Sequence, residues 1–184
     1  MAPQNAHSQS HNVRRMSLKK RNISKKRALD EAACLQAHND KRALHEGTSQ
    51  LVWDATLAQH AKEWADHRAS IGTLQHANLA GTGEGENLYL GPAVKPCADA
   101  VEAWYREVCD YPFGNPPNSI FDVSGAHWIG HFTQVVWKAT THVGVGLKKI
   151  VNSDGKTETY VVARYSPPGN VNGQLGDNVG AKTY

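Results

Sequence analysis

From Ala28 onward, apolar residues return every three or four positions, the spacing that lays a stripe along one side of an α-helix. Leu29, Ala32, Ala33, Leu35, Ala37 and Leu44 form the first stripe, and Gly47 stands where a helix C-cap is expected. Asp54 offers an N-cap to a second helix, whose Leu57, Ala61, Trp64, Ala65 and Arg68 repeat at three and four until Gly72 stops it. A third helical pattern, from Cys97 to Asp110, groups Val101, Trp104, Tyr105 and Val108, and Pro112, Pro116 and Pro117 forbid its continuation. The C-terminal half changes period. The stretches HFTQVVW, HVGVGLKKI and TETYVVARYS alternate or run β-branched and aromatic, and Asp154-Gly155 between the last two reads as a hairpin turn. NLYL, from Asn87, adds a strand behind a Gly-rich loop. Helices first and antiparallel strands later predict an α+β fold in which helices cover a sheet.

Composition adds one asymmetry. The 184 residues, 40% apolar, suit one domain with a single core. Eight of the twenty Lys and Arg precede Ala28, where there is no Asp or Glu, so residues 1–27 carry +8. The remainder holds twelve basic and seventeen acidic residues, a net −5 with neutral His. Residues 1–27 are expected to be a disordered basic arm and 28–184 the folded body, the arm being suited to anionic surfaces. The arm lacks the apolar core of a secretory signal, no stretch approaches a membrane span, and position 2 is Ala rather than the Gly that myristoylation needs. Cys34, Cys97 and Cys109 are odd in number and show no C-x-x-C spacing; Cys97 and Cys109 on one helix would stand too far apart to bridge, so free thiols in a reducing compartment are expected. No array of stacking aromatics accompanies the basic arm, which argues against a nucleic-acid partner.

Ten histidines must mostly mean little. His60 and His67 read as a solvated stripe on the second helix, and His38, Asn39 and Arg42 of HNDKR as a polar network tying helix to loop. Four candidates remain: His76 in the loop after the second helix, Glu86 at the entrance to NLYL, Glu107 on the third helix and His131 at the start of HFTQVVW. Two imidazoles and two carboxylates brought together would make a divalent-metal site or a pair of acid-base couples. Neither an H-E-x-x-H run nor an i, i+4 histidine pair links them, so spacing does not show the convergence.

HNDKR, GENLYL, GHFTQVVW and VVARYSPPGN resemble the signature segments of the CAP superfamily, which comprises cysteine-rich secretory proteins, antigen 5 and plant pathogenesis-related proteins. The resemblance runs from about Ala28 to Val179, and WYREVCDY brings the chain nearest the cysteine-poor, Golgi-associated plant pathogenesis-related branch. It implies a three-layer α-β-α sandwich with a central, mainly antiparallel sheet and a cleft lined by His76, Glu86, Glu107 and His131. In that cleft the resemblance implies a Zn2+-like ion on His76 and His131, with carboxylates orienting the rings. Asn87 of GEN joins His38, Asn39 and Arg42 as the structural motif.

The resemblance further implies a non-enzymatic module that binds sterol, fatty acid or anionic phospholipid and self-associates weakly at intracellular membrane surfaces, on the cytoplasmic face of the Golgi. Export by an unconventional route is the alternative. A sterol loop corresponds to DYPFGNPPNSIFDVSG, with Tyr111, Phe113, Ile120 and Phe121 as its apolar groups, although this chain reads NPPNSIF where sterol-binding relatives read Asn-Pro-Gly-Phe. His127 and Trp128 are placed at the lip of the cleft. A metal-dependent hydrolase using the His/Glu cleft is the competing reading, weakened by the lack of a G-x-S-x-G elbow or a Cys beside a motif His.

Overall fold

The computed structural model describes residues 6–122 and 128–183. Four strands form one sheet in the order β1-β3-β4-β2: β1 (Val52–Trp53), β2 (Gly85–Gly91), β3 (His142–Val151) and β4 (Thr157–Ser166). Among the described residues, only the β1–β3 pair is parallel. The β3–β4 hairpin runs in register from His142 opposite Ser166 to Val151 opposite Thr157, and Gly155 in its turn takes the positive φ of 74° that the Asp-Gly signal requires.

β4 is buried on both sides, and its alternation assigns the two cores. Tyr160 and Val162 face Ala61 and Ala65 of α2 (Ala55–Ile71), whereas Val161, Ala163 and Tyr165 face the larger core with Trp104, Phe132 and Trp137. That second layer is built from α1 (Ala6–Arg42), α3 (Pro96–Tyr105), α4 (Gly130–Val135) and α5 (Leu175–Asn178), so the sheet lies inside an α-β-α sandwich. α2 lies directly on backbone. A Cβ on Gly144 or Gly146 would sit 2.1 Å from the backbone nitrogen of Ala58 or Lys62, which is why both strand positions are glycine.

Local signals set α2 as expected. Asp54 Oδ1 accepts from the Thr56 and Leu57 amides at 2.7 and 2.9 Å, and Gly72, at φ 70°, returns its N–H to Arg68 O. α3 gives way after Tyr105 to a 3-10 turn, Arg106–Asp110.

Four expectations are corrected. HFTQVVW is not a strand: residues 130–135 form α4, and because Phe132, Thr133, Gln134 and Val135 are all buried, the run shows no polar face from which a helical period could be read. The first helix ends at Arg42, short of Gly47, and extends back to Ala6 where a disordered arm was expected, in a stretch free of Gly and Pro. Cys34 and Cys97 are disulfide-bonded rather than free, with Cα atoms 4.9 Å apart, joining α1 to the start of α3 across 63 residues; only Cys109 is a free, exposed thiol. A structural disulfide fits an oxidising compartment better than a reducing one. No helix among the described residues is long and apolar enough to cross a membrane.

Candidate functional site

The signature residues HNDKR act on the backbone around the site. Arg42 is fully buried and donates from Nε to Ser49 O at 2.7 Å, from Nη1 to Val135 O and Trp137 O at 3.0 and 2.9 Å, and from Nη2 to Thr140 O at 3.0 Å. Burial lowers its pKa to about 10, which still leaves it a cation at neutral pH. Asn39 pairs with both backbone groups of Leu51, accepting at 2.7 Å and donating at 3.2 Å. His38 sets its Nδ1 against Cys34 O at 2.8 Å and its Nε2 against the Tyr165 hydroxyl at 2.9 Å. Asn87 Nδ2 donates to Tyr165 Oη and to His131 O, at 3.3 and 3.0 Å. The structural motif expected of His38, Asn39, Arg42 and Asn87 thus reaches from α1 to the backbone of a candidate histidine.

α4 carries that histidine between opposite charges. Its unsatisfied N-terminal amides, on His131 and Phe132, donate to Glu107 Oε2 at 2.9 and 3.0 Å, while Arg42 holds the Val135 carbonyl at the other end. The second oxygen of Glu107 accepts from His131 Nδ1 at 2.6 Å, and the His131 ring stacks on Trp104 with centroids 6.4 Å apart. One carboxylate therefore closes the helix and aims its histidine.

His76 and Glu86 repeat the arrangement on the opposite wall. Glu86 Oε1 accepts from His76 Nδ1 at 2.8 Å and from the Ala77 amide at 3.0 Å. Its Oε2 lies 2.9 Å from Arg164 Nε, an ion pair in which the N–H does not point at the oxygen, so neither atom has a hydrogen-bond partner. Arg164 stands opposite Glu86 in the β2–β4 register and donates from Nη1 to Glu84 Oε2 at 2.9 Å; Glu84 Oε1 in turn meets His60 Nδ1 at 2.6 Å. His60 is exposed on α2, as a solvated stripe requires, and is in addition tied to a buried ion pair. Glu86 is 2% exposed and its imidazole partner 61%, so a fixed anion holds an accessible ring.

His76, Glu86 and His131 line one cleft of about 370 Å³, with Glu107 behind His131. In both histidines Nδ1 is engaged with a carboxylate, leaving Nε2 as the lone-pair nitrogen of the neutral ring. Among the described residues no three His, Cys, Asp or Glu side chains gather as a metal-ligand set. The donor set fits an ion held by two imidazoles and completed by water or a ligand, not a closed zinc site.

The expected lipid loop divides. Tyr111 and Phe113 pack in the core against Phe132, with their own rings 4.8 Å apart, and burial raises the Tyr111 hydroxyl pKa to about 12. Their assignment as lipid-contacting groups is corrected on that ground. Ile120 and Phe121 do line the cleft, Phe121 being 80% exposed. Trp128, 71% exposed, stands at the same rim, while His127 lies outside the described residues. Leu79 and Asn170 also line the cleft and were not singled out by sequence. Asn170 takes φ 60° and ties Gly130 O to Thr133 Oγ1 at 2.8 and 2.6 Å; the PPGN ending was the available signal.

Residues 35–165 match the CAP family, described as the cysteine-rich secretory protein family. The chain belongs to that family. Protein PRY2 of Saccharomyces cerevisiae is 43% identical to this CAP chain over 142 residues, 77% of the chain and 38% of PRY2. Golgi-associated plant pathogenesis-related protein 1 of Homo sapiens is 37% identical over 138 residues, 74% of the chain and 82% of the human protein. The CAP chain therefore spans about two fifths of the first of these relatives and most of the second. Among solved structures, NaASP2 with Zn2+ has a TM-score of 0.61 at 22% identity, covering 83% of the chain and 85% of that structure, a likeness of fold.

Proposed function

We propose that this CAP domain is a binding protein whose cleft takes a lipid with a polar group, sterol being the first candidate, and whose basic N-terminal helix brings it to anionic membrane surfaces. The observation that carries the reading is the cleft's two-sided chemistry: apolar Leu79, Ile120, Phe121 and Trp128 line it together with polar His76, His131, Asn87 and Asn170. Exposed Phe and Trp side chains beside a concave site match an amphiphilic ligand. Both glutamates spend their oxygens on a histidine and on backbone amides or Arg164, so neither stands free as the general base that hydrolysis would need.

The same cleft offers Nε2 of His76 and His131 to a divalent ion, with the carboxylates fixing the rings through Nδ1. Bound zinc would supply Lewis acidity or an anchor for a ligand oxygen. The Cys34–Cys97 disulfide supports an oxidising compartment and so favours the secretory route over the cytoplasmic face.

The test is sterol binding by the full chain against Phe121→Ala/Trp128→Ala. Each lost aromatic contact is worth roughly 1.5 kcal/mol, so affinity of the double variant should fall about a hundredfold. Equal affinity in the double variant would move the ligand elsewhere. Calorimetric zinc titration of wild type beside His76→Ala/His131→Ala examines the ion separately, and flotation with anionic liposomes after deleting residues 1–27 examines the arm.

A further inference from the structure

The tripeptide Lys-Lys-Arg occurs twice, at 19–21 and 25–27, in a segment that also contains Arg14-Arg15. Arg15, Lys19, Lys20 and Arg21 are exposed on α1. Among the described residues, the α1 side chains that touch the body begin at Asp30 and Glu31, beside Trp53 and Lys62, and continue through Cys34, His38 and Arg42. The body holds two further basic pairs, and both are locked. In Lys41-Arg42 the guanidinium is buried against four carbonyls and Lys41 pairs with Glu102 at 2.6 Å, and Lys148-Lys149 lie in the β3–β4 ladder opposite Tyr160 and Thr159.

We propose that the chain is cut after Arg21 and Arg27 by an endoprotease that reads paired basic residues, detaching the arm from the body. Recognition would rest on acidic subsites facing two adjacent cations, with the planar guanidinium at the cleaved position held by a carboxylate. At the second site water adds across the Arg27–Ala28 amide: the C–N bond breaks, the hydroxyl goes to the Arg27 carboxyl and the proton to the Ala28 amine. Proteases bind extended backbone, so the helix must open locally. A helical end of this length is only marginally stable in water unless packing supports it, and Lys19, Lys20 and Arg21 are exposed, so opening there costs little, whereas Arg42 would have to break α1 out of the core.

The disulfide supplies an independent reason. It fits the oxidising secretory route, where enzymes specific for paired basics act, and it anchors what the cut leaves behind. Cys34 is seven residues past Arg27 and bonded to Cys97, so the new N-terminal turn stays fastened to α3. Charge changes sign at the same step. The whole chain is +3, and residues 28–184 are −5, so one hydrolysis turns a protein attracted to anionic surfaces into one repelled by them. The cleavage does not depend on what the cleft binds.

The experiment uses the full chain, directed into the secretory pathway of a eukaryotic host with and without its paired-basic endoprotease, and reads the N-terminus and intact mass of the recovered protein. Expected is a product beginning at Ala28, with Asn22 as an intermediate, that disappears in the protease-deficient host and in Lys20→Ala/Arg21→Ala/Lys26→Ala/Arg27→Ala. The same purified protease should cut the full chain in vitro and stop at Ala28. An intact arm in the protease-bearing host, equal cleavage of the quadruple variant, or cleavage after Arg42 would overturn the proposal.

Discussion

Lowering the pH from 7 to about 4 should destabilise this protein through His38. Complete burial is the main cause that lowers its pKa from 6.5 to about 4; the Cys34 carbonyl opposes the shift and the nearby Arg42 cation adds to it. In the unfolded chain the ring titrates near 6.5, so between the two values the unfolded state holds the extra proton. Stability is therefore fully present above pH 6.5 and falls as the pH drops towards 4. At about 1.4 kcal/mol per unit, the window is worth about 3–4 kcal/mol, a large share of an ordinary domain's 5–15 kcal/mol. His45, whose Nδ1 meets Gly180 O and Nε2 the Tyr105 hydroxyl, is also lowered by burial and acts in the same direction. Urea midpoints measured every half unit from pH 4 to 8, for wild type and His38→Gln, isolate the term. The variant should be weaker at pH 7 yet flatter with pH, because its side chain hydrogen-bonds without titrating. Parallel curves would refute the reasoning, since the proton taken up on unfolding would then come from other groups.

Three further outcomes follow from packing and charge. Gly146→Ala places a Cβ 2.1 Å from the Lys62 nitrogen, so α2 must shift off β3; a loss of about 2 kcal/mol or more in chemical denaturation is expected. Glu107→Gln removes the charge at the head of α4 and the His131 acceptor on one side, and should cost about 1–3 kcal/mol while broadening the His131 ring signals in NMR spectra. Cys34→Ser, or reduction of wild type, frees a 63-residue loop in the unfolded chain and should lower stability by about 4 kcal/mol in a calorimetric or denaturant scan.

What was legible in the sequence divides by range of interaction. The caps of α2 were read correctly because Asp54 and Gly72 act on groups within four residues. The hairpin was legible for the same reason, through Asp154-Gly155 and the two alternating strands around it. α4 was misread because burial on all sides erases the polar face that distinguishes a helix, and what makes it a helix is supplied by Glu107 and Arg42 from elsewhere in the chain. The disulfide was missed because its partners are brought together only by packing α1 on α3. β1, with two residues, was too short to carry any period. Spacing did not reveal that His76 pairs with Glu86 and His131 with Glu107; the motif resemblance brought the four residues together. The aromatic loop had no period to sort its side chains, and packing sent Tyr111 and Phe113 inward and Phe121 outward.

α4 is bracketed by an anion at its head and a cation at its tail, and the anion is also the residue that aims the histidine. A descendant of this protein that had lost every ligand of the cleft would still be selected to keep Glu107, because replacing it would loosen the layer beneath the sheet. The persistence of that signature pair across relatives would then record a constraint on folding, and divergence at the rim, where Phe121 and Trp128 stand apart from that scaffold, would be the trace left by a change of ligand.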